Sequence, residues 1–233
     1  GIKCEGKELF STEGELNQNI IAKKIMHSNK TGKKLEENIP PRPPVMCAGC
    51  PHRGLFYTLN KNQCTVLGDI GCYTLGAVAP LSAMDMTLCM GASVSALHGF
   101  NKALENCEDE NKNKKVVAVI GDSTFMHSGM TGLANIAYNQ SKSVVIILDN
   151  SITGMTGHQQ NPTTGFNIKG DPAGKINLEE LCRAMGFNRV RVVDPYNLKE
   201  CEDALKEELA ANEASVIISR RPCALLKYVK HTP

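Results

Sequence analysis

From residue 64 onward, short runs of aliphatic and β-branched residues recur without polar alternation, at 64–67, 116–120, 143–148, 189–193 and 215–219. A strand without alternation is buried on both faces, as in a parallel sheet covered by helices. Between the runs lie stretches with helical spacing of apolar positions, at about 91–105, 129–139, 178–185 and 198–212. Asn177 and Asn197 stand just before the last two, where an amide oxygen accepts from free N–H groups of the first turn. The alternation predicts an α/β fold: a doubly wound, mostly parallel sheet with helices on both faces. Ligands of such sheets bind at the carboxyl ends of the strands, so chemistry belongs just past each run.

Residues 1–39 are polar and lysine-rich, with one predicted helix over 15–26 whose apolar face is Leu16, Ile20 and Ile21. They read as a linker or arm. Pro40, Pro41, Pro43 and Pro44 force an extended stretch, and a single domain is predicted over 40–233. The net charge of +2, from 26 basic and 24 acidic residues, leaves no electrostatic footprint for nucleic acid or an anionic membrane surface. The longest apolar runs are far too short to cross a bilayer. Ten cysteines, mostly isolated, on a chain without a visible secretory signal fit a reducing cytoplasm.

Two strand ends carry oxygen ligands: 116–120 runs into Gly121-Asp122-Ser123, and 144–148 into Asp149-Asn150-Ser151-Ile152. Mg²⁺ takes a few protein oxygens and leaves the rest of its octahedron to phosphates and water, which one carboxylate and one amide suit. Gly121 is read as allowing a tight turn, and the next helix as facing an anion with its N-terminus. The alternative is that Asp122 only caps that helix. A second signal is Cys47-Ala48-Gly49-Cys50-Pro51-His52-Arg53-Gly54. A C-x-x-C serves as metal ligand, redox dithiol or structural element. No second pair stands at matching spacing, so a cluster here needs ligands from distant parts of the chain.

Gly-Asp-x followed after a helix and strand by Asn resembles the thiamine-diphosphate signature. The tail 153–159 and the Cys-Pro-His-Arg segment are similar to the 2-oxoacid:ferredoxin oxidoreductases, most closely their indolepyruvate branch. The resemblance covers about 40 to the C-terminus and implies thiamine diphosphate held through Mg²⁺ by Asp122, Asn150 and the backbone carbonyl of Ile152. The motif's third residue, often Gly in the family, is Ser123 here. The resemblance also sets Met155 and Thr156 beside the thiazolium ring, Gly71 and Cys72 against the cofactor, and the Cys47 loop near it. Gly91, in Met90-Gly91-Ala92-Ser93, would give backbone contact to the aminopyrimidine ring. His52 and Arg53 would lie on the substrate side, Arg53 matching a 2-oxoacid carboxylate with its planar fork and His52 moving protons near neutrality. Capping or surface pairing is their alternative. His127 would face the diphosphate or substrate, or else be structural.

The implied reaction is oxidative decarboxylation of a 2-oxoacid to an acyl-coenzyme A, with electrons passed to ferredoxin. The chain lacks the C-x-x-C-x-x-C-x-x-x-C-P run of ferredoxin-type clusters, so iron–sulfur clusters are expected outside it. A pyrimidine-binding domain supplying the activating glutamate, a ferredoxin-like domain of the same subunit and a small subunit complete the implied oligomer. The chain is then an excised piece with little turnover alone. A non-oxidative thiamine-diphosphate decarboxylase and a non-catalytic binding module are the competing readings.

Overall fold

The computed structural model describes residues 1–30, 36–108, 110–227 and 229. Part of the predicted arm, 31–35, and the end of the predicted domain lie outside them. The chain divides into two compact units, Gly1–Pro43 and Pro44–Pro233. In the first, α1 (Gln18–Ile25) begins where Asn17, in extended conformation, accepts from the Asn19 and Ile20 N–H groups. That cap starts the helix three residues later than its apolar pattern suggests, and none of its residues is buried.

The second unit is built on strands β1 (Thr65–Gly68), β2 (Met86–Thr87), β3 (Val116–Gly121), β4 (Val144–Asp149), β5 (Arg189–Val193) and β6 (Ser215–Arg220). They form one sheet in the order β2-β1-β3-β4-β6-β5, parallel throughout. The five predicted strands all occur, within a residue at either end. β2 is additional: two residues paired beside β1 are too few to leave a pattern in sequence.

The helices are α2 (His52–Lys61), α3 (Ala92–Glu105), α4 (Asp122–Thr124), α5 (Met130–Tyr138), α6 (Leu178–Ala184) and α7 (Leu198–Ala210). A π-helical turn, Phe125–Gly129, joins α4 to α5, with helical dihedrals at each junction. Every position of β3 and β4 is buried, and successive side chains serve opposite faces. Val117, Val119, Ile146 and Leu148 pack with Leu55, Phe56 and Leu59 of α2 and Leu205 of α7. Val116, Ala118, Ile120, Val145 and Ile147 pack with Val94 and Leu97 of α3, Leu133 and Ile136 of α5 and Leu178 of α6. Each such side chain contributes about 1.5–3 kcal/mol by leaving water. These are the two helical layers of a doubly wound fold.

α2 is not among the predicted elements, because Gly54 and an aromatic pair interrupt its pattern. A Cβ on Gly54 would lie 2.0 Å from the Pro195 carbonyl oxygen, so the helix sits against the turn after β5 only because that position is bare. β1 leads to β2 on one side, while β3 lies on the other, so strand order reverses between β1 and β3. The crevice outside their carboxyl ends is where such sheets take ligands. Among the described residues no helix is long and apolar enough to cross a membrane.

Candidate functional site

A cleft of about 310 Å³ opens at that switch point. The loop after β1 brings Gly71 and Cys72 to it; the start of α4 brings Gly121, Asp122 and Ser123; the loop after β4 brings Asn150, Ile152, Met155 and Thr156. His52 enters from the start of α2, and His127 from the π turn. Gly91, Arg53 and Cys47 do not line it. The rod that begins at Asp122 directs its N-terminal, electropositive end at the cleft.

Asp122 is buried, 3% exposed. Its Oδ1 accepts from the Ser123 N–H at 2.7 Å, whereas Oδ2 has no hydrogen-bond partner among the described residues. Burial, and then the nearby Asp149 carboxylate, push its carboxyl up to about 7, against the weaker help of the Ser123 N–H and of Asn161 and Ser151 nearby. A cation at this buried, unpaired oxygen would offset both the missing donor and the cost of the buried charge. Asn150 is also buried. Its Oδ1 accepts from the Ile152 N–H at 3.3 Å in an Asx turn, with the intervening Ser151 at φ 59°. The Ser151 N–H donates to Asp149 Oδ1 at 3.2 Å, and Arg220 holds Asp149 Oδ2 at 2.8 Å. Asp122 and Asn150 carry carboxylate and amide oxygens of the hard type Mg²⁺ takes.

His52 is fully buried, and burial lowers its imidazole to about 4. It is therefore neutral at physiological pH, not a group titrating near neutrality. Its Nε2 accepts from Asn150 Nδ2 at 3.4 Å, which leaves the ring proton on Nδ1. His127 is exposed at the cleft, its Nδ1 2.5 Å from the Ser128 hydroxyl. A π turn adds a residue to the helix and re-aims the side chains of that turn, as often at functional sites.

Two further expectations give way. Gly121 has φ −76° and ψ 158°, extended backbone open to any residue, so a tight turn is not its purpose. A Cβ there would lie 2.6 Å from Tyr73 Cε1. Arg53 does not face the cleft: its guanidinium donates to the Cys47 carbonyl at 2.9 Å and to that of Met46. It clamps the cysteine loop. Gly91 does require its residue type, with φ 86° at the start of α3 and a Cβ position 2.4 Å from Ser128 Cβ. Its N–H donates to the buried Asp69 carboxylate.

A second cavity, about 160 Å³, adjoins the cleft and shares His52, Cys72, Asn150 and Gly154 with it. Cys47, Cys50, Cys72 and Cys223 all line it. Cys223 arrives because its N–H donates to the Asn150 carbonyl at 2.9 Å, carrying the segment after β6 past the end of β4. Burial first, then the nearby thiols, push Cys50 up to about 11. Nothing in the spacing of Cys72 and Cys223 foretells this convergence. As they stand, no three His, Cys, Asp or Glu among the described residues form a metal-holding group.

Residues 69–219 match the thiamine pyrophosphate enzymes, C-terminal TPP binding domain. The chain belongs to that family. It is 45% identical over 204 residues to the indolepyruvate oxidoreductase subunit IorA of Pyrococcus horikoshii, and 44% identical over 199 residues to that of Archaeoglobus fulgidus. These matches cover 84% and 83% of this chain but 31% of each relative, so the chain spans about a third of the length of the curated relatives it matches. In fold it resembles 2-oxoglutarate:ferredoxin oxidoreductase from Magnetococcus marinus, with a TM-score of 0.63 at 17% identity over 79% of this chain and 66% of that one. The matched stretch begins at Asp69, so Cys47, His52 and Arg53 lie before it.

Proposed function

We propose that this thiamine-diphosphate-binding domain works in a 2-oxoacid:ferredoxin oxidoreductase of the indolepyruvate type, holding its cofactor through Mg²⁺ bound by Asp122, Asn150 and the Ile152 carbonyl. The unpartnered, buried Oδ2 of Asp122 beside Asn150 carries the metal assignment. When bound, thiamine diphosphate supplies the electron sink that makes decarboxylation of a 2-oxoacid feasible. The chain's own residues bind and orient. Asp122 and Asn150 fix the metal, the start of α4 offers N–H groups to the diphosphate, and Gly71, Cys72, Met155 and Thr156 line the path beside it. His52, held neutral, accepts a hydrogen bond from the Asn150 amide nitrogen at the substrate side and so turns that amide's oxygen toward the Ile152 loop. His127 stands at the open mouth, where an exposed imidazole can take or give a proton.

The IorA relatives support indolepyruvate or another aryl 2-oxoacid as substrate. The Magnetococcus marinus enzyme, whose structure holds 2-oxoglutarate, coenzyme A and succinyl-CoA, supports coenzyme A as acyl acceptor. A pyrimidine-binding domain, a ferredoxin-like domain, a small subunit and ferredoxin complete the assembly. The ten cysteines, all free, favour a reducing compartment such as the cytoplasm. Titration calorimetry of thiamine diphosphate in Mg²⁺ tests the site: binding undiminished in an Asp122→Ala, Asn150→Ala double variant removes the metal assignment. Viologen reduction by the full-length enzyme across a series of 2-oxoacids, with and without coenzyme A, tests the reaction. Decarboxylation without dye reduction favours a non-oxidative enzyme.

The four-cysteine cavity favours a second reading of the electron path, in which one iron–sulfur cluster sits within this chain, contrary to the expectation that all lie outside. Its ligand chemistry fits, a C-x-x-C pair with two further thiols, although the loops must close in for ligation. Iron retained after anaerobic reconstitution and lost in Cys72→Ala and Cys223→Ala supports it. An iron-free chain leaves the clusters to the rest of the assembly.

A further inference from the structure

Tyr73 stands where the loops after β1 and β3 meet. Its ring is buried in the core on the α2 side of the sheet. Its hydroxyl donates to the Ile70 carbonyl at 3.0 Å, and the His52 ring meets it edge-on with centroids 6.1 Å apart. A Cβ on Gly71 would lie 2.4 Å from Tyr73 Cε1, and one on Gly121 would lie 2.6 Å from the same atom. At both glycines the three nearest atoms all belong to Tyr73. Neither glycine is demanded by its backbone, since φ is 167° at Gly71 and −76° at Gly121, both open to any residue. What excludes a side chain at each is the same edge of one ring.

We infer that Tyr73 is a positioning residue for the cofactor site: its ring edge seats on Gly71 and Gly121 and so sets the separation of the two loops that line the crevice. This rests on the thiamine-diphosphate site proposed above. Core packing at this density has no room for a methyl group at either contact, so an added Cβ must push the ring, or its own loop, aside. Moving Gly121 moves Asp122, the next residue, which lines the cleft and whose buried Oδ2 is unpaired. Leucine at position 73 ends at its δ carbons, whereas the atoms nearest Gly121 are Cε1, Cζ and the hydroxyl oxygen. Tyr73→Leu therefore makes room at Gly121, and Tyr73→Phe, which keeps Cε1, does not.

The test is a mutant cycle in the intact holoenzyme, read as the dissociation constant of thiamine diphosphate in Mg²⁺. Gly121→Ala alone should weaken binding more than about tenfold, and Tyr73→Leu alone about threefold; in the Tyr73→Leu background Gly121→Ala should add less than about threefold. In the Tyr73→Phe background its full effect should persist. Effects that simply multiply, or equal rescue by Phe and Leu, overturn the inference. If Gly121→Ala yields no folded protein, the same cycle is read as folded yield, and failure of Tyr73→Leu to restore it counts against the inference equally. A wild-type enzyme that does not bind thiamine diphosphate overturns the site itself; a binding wild type with an additive cycle overturns only the role of Tyr73.

Discussion

β1 ends in Gly68 followed by Asp69, and β3 ends in Gly121 followed by Asp122; the two strands are neighbours and both aspartates are buried. Asp69 is fully occupied. Its carboxylate takes the Ile70 N–H at 2.8 Å, the Gly91 N–H at 2.9 Å and the Ser93 N–H at 3.2 Å, closing the free end of α3. Asp122 accepts the Ser123 N–H, and its buried Oδ2 has no hydrogen-bond partner among the described residues. The same dipeptide at the same kind of strand end serves as a helix cap in one place and leaves a carboxylate oxygen unpaired in the other. The difference lies in what the next segment brings: α3 returns its first turn to Asp69, while the loop after β4 brings Asn150 and the Asp149 carboxylate to the Asp122 side. A buried carboxylate is a site when its surroundings leave it unsatisfied, and structure when they do not.

Four measurements can break or sharpen that contrast. The largest effect is expected from Asp69→Ala, which strips three buried N–H groups of their charged acceptor and should cost about 3 kcal/mol in urea unfolding; a loss below about 1 kcal/mol would show that Asp69 is not the cap described. Asp122→Ala should instead weaken thiamine diphosphate binding in Mg²⁺ at least about a hundredfold, near 2.7 kcal/mol, while leaving the cofactor-free chain as stable as before or more so. Calorimetry and thermal melting check the two halves, and a destabilised apo chain would make the two aspartates alike.

The pH dependence follows from the same asymmetry. Folding raises the Asp122 carboxyl from 3.8 to about 7, so the folded state keeps a proton that the unfolded chain releases. The stability this confers is complete below pH 4 and lost as pH climbs toward 7. Asp122→Asn, or saturation with Mg²⁺ and cofactor, should flatten that slope in apo-chain melting curves; an unchanged slope in the Asn variant assigns it to other groups. The smallest effect is expected at Arg53. Arg53→Lys should lose about 1 kcal/mol of stability through the cysteine loop and leave the KM for 2-oxoacid within about threefold. A tenfold rise in KM at unchanged stability would return Arg53 to the substrate.

The sheet was legible because its strands are buried on both faces: 116–120 and 144–148 carry no polar position to confuse with a helix or an edge. β2 and α2 were not, since two paired residues leave no period and Gly54 breaks the α2 pattern for a packing reason visible only against Pro195. In the site, the two oxygen-bearing strand ends stood out because the cleft lies where the loops after β1, β3 and β4 converge. Asp69 and Tyr73 stand on either side of Gly71 and Cys72, yet their tasks depend on partners 22 to 48 positions away, Gly91 and Ser93 for Asp69 and Gly121 for Tyr73.

From the residues alone come the alternation of buried strands and helices, the pairing of Asp122 with Asn150 and the family to which they point, because each is a local pattern or a fixed spacing. Tertiary structure alone decides which of two Gly-Asp pairs stays open, that Gly121 answers to the Tyr73 ring and not to a turn, that Arg53 holds a loop, and that Cys72 and Cys223 join Cys47 and Cys50 around one cavity. The reason is physical: whether a buried polar group or a bare backbone is free or filled depends on neighbours that the chain brings back from elsewhere, and hydrogen bonding and close packing are settled only when they arrive.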